Sequence, residues 1–176
     1  MCDLDKDKDK YNNGIRYLAE NRIGDIFLNE GEEHAKIVFS NLFMIAGSKV
    51  RIFAEMLNSN VPNCNEYTSA VRLFLEKGGK IDVLLEREPN TETPLFQLLR
   101  QFKNQVKIKI TDYNPKFGDE LINFCTVDDF AYRIETDKEK KKAHGSFYDK
   151  KQTFKINEVF NVMYNDDNKS IAFEIA

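Results

Sequence analysis

The sequence contains no tryptophan, and only two histidines and three cysteines occur among its 176 residues. Cys2, Cys64 and Cys125 are odd in number and widely spaced, which argues against a disulfide framework and favours a reducing compartment. His34 and His144 lie near no pair of cysteines, so the sequence offers no zinc-binding pattern. We therefore expect neither a structural metal nor another cofactor.

Long apolar runs and an excess of positive charge are also lacking. No run approaches the roughly 20 residues that a membrane helix needs, and the charged start MCDLDKDKDK lacks the apolar segment of a signal peptide. The sequence thus predicts a cytoplasmic protein that does not contact membranes. A formal net charge of −3 excludes the globally basic surface typical of many nucleic-acid-binding proteins, although it leaves room for a local basic patch.

The remaining composition is that of a globular domain, with 41% hydrophobic and 31% charged residues. A chain of this length is typical of one domain with a sizeable, here phenylalanine-rich, core. Residues 1–12 alternate in charge and are predicted to form a disordered leader. We expect residues 13–176 to form a single α/β domain.

Apolar spacing predicts the order of helices and strands. A short helical stripe over residues 15–23 comes first, and stronger helical patterns follow at about 32–46, 67–74, 95–102 and 152–164. Period-two or continuous apolar runs predict strands in KVRIFAEML, IDVLLE, VKIKI, LINFCTV, FAYRIE and SIAFEI, with AHGSFYD as a further candidate. This order predicts a mixed, largely parallel central sheet flanked by helices, with antiparallel strands added late.

The same order resembles a single module of the phospholipase D-like superfamily, over roughly residues 32–164. The segment LEKGGKIDVLL resembles the family's second helix–strand unit, and LINFCTVD aligns with its H-x-K-x4-D signature. Asp128 then occupies the place of the family aspartate. Leu121 replaces the histidine and Asn123 replaces the lysine.

This resemblance implies an inactive site. The family histidine is the nucleophile that attacks phosphorus and the lysine neutralises phosphate charge, whereas a leucine and an asparagine do neither. The family's downstream G-S-x-N element is missing at its usual distance, because HGSF at 144–147 lies too far from Asp128. The resemblance also implies a homodimer, since single-module members pair through the face that carries the motif strands.

A cluster of acids gives a different, enzymatic interpretation. Asp128, Asp129 and Glu135 could hold Mg²⁺ as in a metal-dependent nuclease or phosphodiesterase, with His144 as an acid or base. The simpler interpretation is that the two aspartates form a hairpin turn and that Arg133 pairs with an acid across the strands.

A lysine-rich segment gives a third interpretation. Residues 136–151 carry six lysines against three acids and are predicted to form a loop. Together with nearby aromatic residues, this loop could bind single-stranded nucleic acid. Its candidate residues are Lys140, Lys141, Lys142, Lys150 and Lys151.

The sequence therefore favours a non-catalytic phospholipase D-like module that binds or assembles with a partner. The resemblance suggests bacterial nucleic-acid transactions or defence as its setting. The metal-dependent enzyme and the single-stranded nucleic-acid-binding protein remain the alternatives.

Overall fold

A computed structural model of the chain describes residues 3–113, 116–117 and 120–175, with side chains for 7–113 and 122–175. The helices are α1 (Asp3–Glu20), α2 (Gly31–Ile45), α3 (Asn60–Asn63), α4 (Asn65–Glu76), α5 (Pro94–Gln101) and α6 (Lys150–Tyr164). The strands are β1 (Ile26–Asn29), β2 (Lys49–Ala54), β3 (Lys80–Leu85), β4 (Val106–Thr111), β5 (Lys116–Phe117), β6 (Glu120–Leu121), β7 (Asn123–Val127), β8 (Ala131–Asp137), β9 (Lys142–Ser146) and β10 (Ser170–Phe173).

Eight strands form one open sheet in the order β1-β9-β8-β7-β2-β3-β4-β10. Strands β2, β3 and β4 are parallel, as their strand–helix–strand connections require. The other five pairings of this sheet are antiparallel. The predicted α/β class with a mixed central sheet is confirmed, and its parallel part is confined to β2, β3 and β4, the fifth to seventh of the eight strands.

Helices cover both faces of the sheet. The larger core lies on one face, where α1, α2, α4 and α5 contribute buried residues such as Ile15, Leu42, Phe74 and Leu99. On the other face, α6 packs Phe160 and its apolar neighbours against Phe53, Leu84, Phe124 and Tyr132 of the sheet. Within the described residues, no helix combines the length and the apolar character needed to cross a bilayer.

The N-terminal segment differs from its prediction. Residues 3–12 belong to α1 instead of forming a disordered leader. Ile15 and Ala19 of this helix are buried, and the Tyr11 hydroxyl donates a 2.8 Å hydrogen bond to the Leu28 carbonyl. These contacts on one face of the helix stabilise it, although the residues at its start are mostly polar.

The lysine-rich segment also differs from the predicted loop. Only a short turn follows β8, and residues 142–146 then form β9, which pairs with both β8 and β1. Residues 150 and 151 begin α6, where the Asp149 side chain caps the helix by accepting a hydrogen bond from the Gln152 amide. The segment is therefore a turn, a strand and a helix start.

Candidate functional site

A cleft lies at the carboxyl end of β2, between α2, the loop after β2, and the ends of β7 and β8. Open α/β sheets commonly bind ligands at such strand ends. The cavity has a volume of about 220 Å³. Its charged and amide side chains are those of Glu55, Asn58, Asn123, Arg133, Glu135, Lys138 and Lys141, and its apolar walls include Phe39, Ile52, Leu57, Val61 and Tyr67.

A buried ion pair forms one wall of this cleft. Arg133 and Glu135 are 3% and 6% exposed and lie two positions apart on β8, so both side chains point to the same face. The Arg133 Nη2 lies 3.4 Å from Glu135 Oε1, and its Nε donates a 2.9 Å hydrogen bond to Asn29 Oδ1. Burial lowers the pKa of the Arg133 guanidinium, and the neighbouring Glu135 carboxylate opposes this shift.

Asn123 binds the second carboxylate oxygen of Glu135. Its Nδ2 donates a 2.7 Å hydrogen bond to Glu135 Oε2, and its Oδ1 accepts a 3.2 Å bond from the Glu55 amide. Both ends of the Asn123 amide are therefore occupied by neighbours from β8 and from the end of β2. The side chain is held as a structural bridge within the cleft wall.

Two aromatic residues of the cleft lining, Phe39 and Tyr67, come from the helices. The Phe39 ring of α2 lies 4.7 Å from the Arg133 Cζ, in a cation–π arrangement. Tyr67 of α4 is 2% exposed, and burial raises the pKa of its phenol. The sequence did not single out either residue, because both fall on apolar helix stripes that look like ordinary core positions.

Asp128 lies outside the cleft, at the tight turn between β7 and β8. Its backbone φ of 50° is the left-handed conformation that aspartate and asparagine tolerate best among residues with a side chain. Its carboxylate accepts hydrogen bonds of 2.7–2.9 Å from the Gly47, Ser48 and Lys49 amides and from the Ser48 hydroxyl. Burial alone would raise the pKa of this carboxyl, but these hydrogen bonds together hold it below its usual value.

The acids of the enzymatic interpretation do not form one ligand set. Asn123 pairs with Glu135 four positions along the ladder from the Val127–Ala131 pair beside the turn, which is about 13 Å at the usual rise per residue. Glu135 is thus remote from Asp128 and Asp129. Among the described side chains, no group of three His, Cys, Asp or Glu residues is arranged to hold a metal ion.

His144 is equally far from this role. It lies half-buried on β9, with its ring edge-to-face with Tyr132 at 6.3 Å, and burial lowers the pKa of its imidazole. His34 of α2 stacks on Tyr11 of α1, with 3.7 Å between the ring centroids. Because these are the two histidines of the chain and neither lines the cleft, the cleft contains no imidazole.

The candidate lysines are divided between two places. Lys140, Lys141 and Lys142 lie at the β8–β9 turn, near the cleft, and Lys142 is 3.1 Å from Glu30. Lys150 and Lys151 lie beyond β9, at the start of α6. The five lysines therefore do not form one surface.

The positions aligned with the family signature can be placed in part. Asn123 begins β7 and faces the cleft, whereas Asp128 ends the strand in the turn. The backbone of Leu121 belongs to β6, and its side chain lies outside the described residues. Gly145 of the HGSF segment is a packing glycine of β9, since a Cβ there would approach the Phe27 ring to 2.5 Å.

Comparisons with known sequences give no relatives. No protein-family model matches the chain, and no curated protein matches it.

Comparisons with solved structures define the fold class: the chain has a phospholipase D-like fold. It matches Nuc of Salmonella typhimurium, a phospholipase D family member, with a TM-score of 0.58 and 12% identity over 85% of this chain and 99% of Nuc. NucT of Helicobacter pylori matches with a TM-score of 0.61, the same identity and the same coverage.

A third match is to an archaeal chromatin protein, TrmBL2, which has a novel mode of DNA binding. Its TM-score is 0.57 at 12% identity, over 92% of this chain and 62% of that one. At such identities the three matches establish the fold alone. The fold implied by the sequence resemblance is therefore confirmed.

Proposed function

We propose that the protein is a non-catalytic phospholipase D-like module that acts by binding, in a process involving nucleic acid. The observation that carries this proposal is the chemistry of the cleft. Asn123 stands at the aligned lysine position with both ends of its amide occupied, and neither histidine of the chain reaches the cleft. Hydrolysis through a phosphohistidine requires an imidazole nucleophile, which the cleft does not supply.

A turnover assay tests this proposal directly. The protein would be incubated with bis(p-nitrophenyl) phosphate and with single- and double-stranded DNA, with Mg²⁺ and with EDTA. We expect no turnover above the buffer background in any of these mixtures, because the cleft contains no imidazole and the described side chains include no metal-binding group of acids. Released nitrophenolate and DNA fragments provide the two measurements.

The control for this assay is a substitution in the cleft wall. A substitution in the β7–β8 turn is less suitable. Asn123→Ala changes the cleft wall, whereas Asp128→Ala would disturb the loop that Asp128 holds and would confuse folding with catalysis. Turnover that Asn123→Ala abolishes and Lys150→Ala preserves would overturn the proposal.

A second candidate function is binding of single-stranded nucleic acid, favoured by the surface at the start of α6. Lys150, Lys151 and Lys155 are exposed there beside Phe154 and Tyr148, whose exposed fractions are 63% and 40%. Exposed aromatic rings stack on bases while lysines contact phosphates. We call these five residues the basic α6 surface. Three residues of this surface belong to the lysine-rich segment 136–151 that the sequence singled out. Phe154 and Lys155 lie beyond that segment.

Anisotropy of a fluorescent oligothymidine tests this second candidate. Lys150→Glu with Lys151→Glu should weaken binding tenfold or more and reduce the salt dependence by about 1.4 in slope, for two lost phosphate contacts at ~0.7 each. Lys140→Glu with Lys142→Glu is the matched control at the other end of β9. Binding at the basic α6 surface would be contradicted if both double changes weakened binding equally. It would also be contradicted if neither change weakened binding.

We also propose that two copies of the chain pair through the face that carries the β7 and β8 strands. Supporting this, the chain covers 99% of Nuc and of NucT but only 39% of the Haemophilus influenzae phosphatidylserine synthase, another match with a TM-score of 0.52. The matched part of the chain thus corresponds to one module, and the family resemblance implies that such modules pair.

A further inference from the structure

The cleft concentrates positive charge in a partly apolar space. Three of its side chains are cationic (Arg133, Lys138 and Lys141) and two are carboxylates (Glu55 and Glu135). The difference is one positive charge. Among the described side chains, two charged groups pair with this set from outside the lining: Glu86, 3.5 Å from Lys138, and Arg87, 3.2 Å from Glu55. Their charges cancel. The lining therefore complements a monoanion.

Arg133 is the group best placed to hold such an anion. Within the part of the chain that has described side chains, its bonds to Asn29 and Glu135 use two of the five guanidinium N–H bonds and leave three for other acceptors. At 3.4 Å the contact with Glu135 is longer than the 2.7–2.9 Å of a strong charge-assisted bond. A buried guanidinium whose partner is weakly bonded is stabilised by a second carboxylate that accepts two parallel hydrogen bonds from it.

Size and wall chemistry restrict the rest of the ligand. The volume of about 220 Å³ is below the roughly 300–1,000 Å³ of drug-sized pockets, so the cleft suits a small molecule. Phe39, Ile52, Leu57 and Val61 provide apolar contacts for its body. A tyrosine phenol is protonated at neutral pH, and burial raises the pKa of Tyr67 further, so its hydroxyl can donate a hydrogen bond.

We propose that this cleft binds a small carboxylic acid with an apolar body, with its carboxylate on Arg133, Tyr67 and Lys141 and its body between Phe39 and Val61. This inference rests on the proposed function, since it names the ligand class of the same cleft. It departs from phosphodiester recognition because the aligned lysine position is an uncharged asparagine whose nitrogen and oxygen each already have a hydrogen-bond partner.

Benzoate is the probe that tests this assignment. It would be added at about 10 mM, where a ligand with a millimolar Kd stabilises the folded state measurably. We expect benzoate to raise the Tm and to shift amide resonances around the cleft. Benzamide has the same shape without the charge, and dimethyl phosphate has the charge on a phosphodiester. Both should bind at least tenfold more weakly.

Two conservative variants locate the site. Tyr67→Phe keeps the packing and should weaken benzoate binding about fivefold, as expected for one lost hydrogen bond. Arg133→Lys keeps the charge but loses the fork and should weaken binding tenfold or more. Lys150→Gln, on the basic α6 surface, should bind as the wild type does. If Arg133→Lys fails to fold, Tyr67→Phe and the benzamide comparison decide.

Several results would overturn this assignment. They are no benzoate binding at about 10 mM, equal or better binding of benzamide or dimethyl phosphate, and unchanged affinity in Tyr67→Phe. Each of these results is distinct from failure of the proposed function, which would appear as phosphodiester turnover. Absent turnover together with absent benzoate binding leaves a non-catalytic module with a different ligand.

Discussion

The role of Asp128 is to join two parts of the chain that are about 80 residues apart. Its two oxygens accept three backbone N–H groups and one hydroxyl from residues 47–49, directly after α2. Backbone N–H groups need hydrogen-bond acceptors, and the Asp128 carboxylate is the acceptor that these three amides share. In this structure Asp128 is thus a structural carboxylate of the hairpin turn.

Replacing this carboxylate should reveal its contribution to stability. Asp128→Asn tolerates the left-handed backbone but loses charged acceptors, so the free energy of unfolding should fall by about 1–2 kcal/mol at pH 7. The pKa of Asp128 is lower in the folded state, so this stabilisation is present above the ordinary pKa of about 3.9 and is lost as the pH falls through the folded value. The wild-type and variant stabilities, measured by urea unfolding, should converge at low pH.

Asp129→Asn is the matched control for this experiment. Asp129 is exposed, and its nearest cation, Lys150, is 3.6 Å away. Exposed pairs of this kind contribute little, so the control should change stability by less than about 0.5 kcal/mol. An Asp128→Asn variant as stable as this control at pH 7 would show that the turn carboxylate is dispensable.

At the scale of elements, the helix α1 and the strand β1 were the hardest parts to infer from the sequence. The apolar positions of α1 are preceded by ten largely charged residues, which dilute the helical pattern. Strand β1 has four residues, too few for a reliable alternation, and it exists because β9 offers it a partner more than 110 residues later. Tertiary contacts determine both elements, so a local pattern cannot reveal them.

Docking of α1 leads to a testable difference between two adjacent residues. Ile15 is 3% exposed, so Ile15→Ala should lower the free energy of unfolding by about 2–4 kcal/mol and increase hydrogen exchange throughout α1. Arg16→Ala removes only an exposed pair with Glu20 and should change stability by less than about 0.5 kcal/mol. Equal effects of the two changes would mean that α1 is not docked.

At the scale of the whole molecule, the sequence predicted the α/β class and the parallel strands β2, β3 and β4. It did so because their alternation and their intervening helices are strong local signals. It could not predict the cleft, because Arg133, Tyr67 and Phe39 meet there from β8, α4 and α2. The sequence also placed the candidate lysines in one loop, although β9 separates them. A short strand within a charged segment hardly changes its composition and is therefore not predicted.

The proposed pairing of two copies is the prediction that belongs to this scale. Light scattering coupled to size-exclusion chromatography should give the mass of two chains at micromolar concentration. A single-chain mass at every concentration would contradict the pairing.

The hydrogen bond from Tyr11 to Leu28 has a consequence for the outermost strand of the sheet. Strand β1 ends the sheet, and an unprotected outer strand invites recruitment of foreign or identical chains into fibrous aggregates. By engaging a carbonyl of that strand, the phenol occupies an acceptor that an incoming backbone would otherwise use. The charged helix α1 thus protects the edge strand β1 from pairing with a strand of another chain.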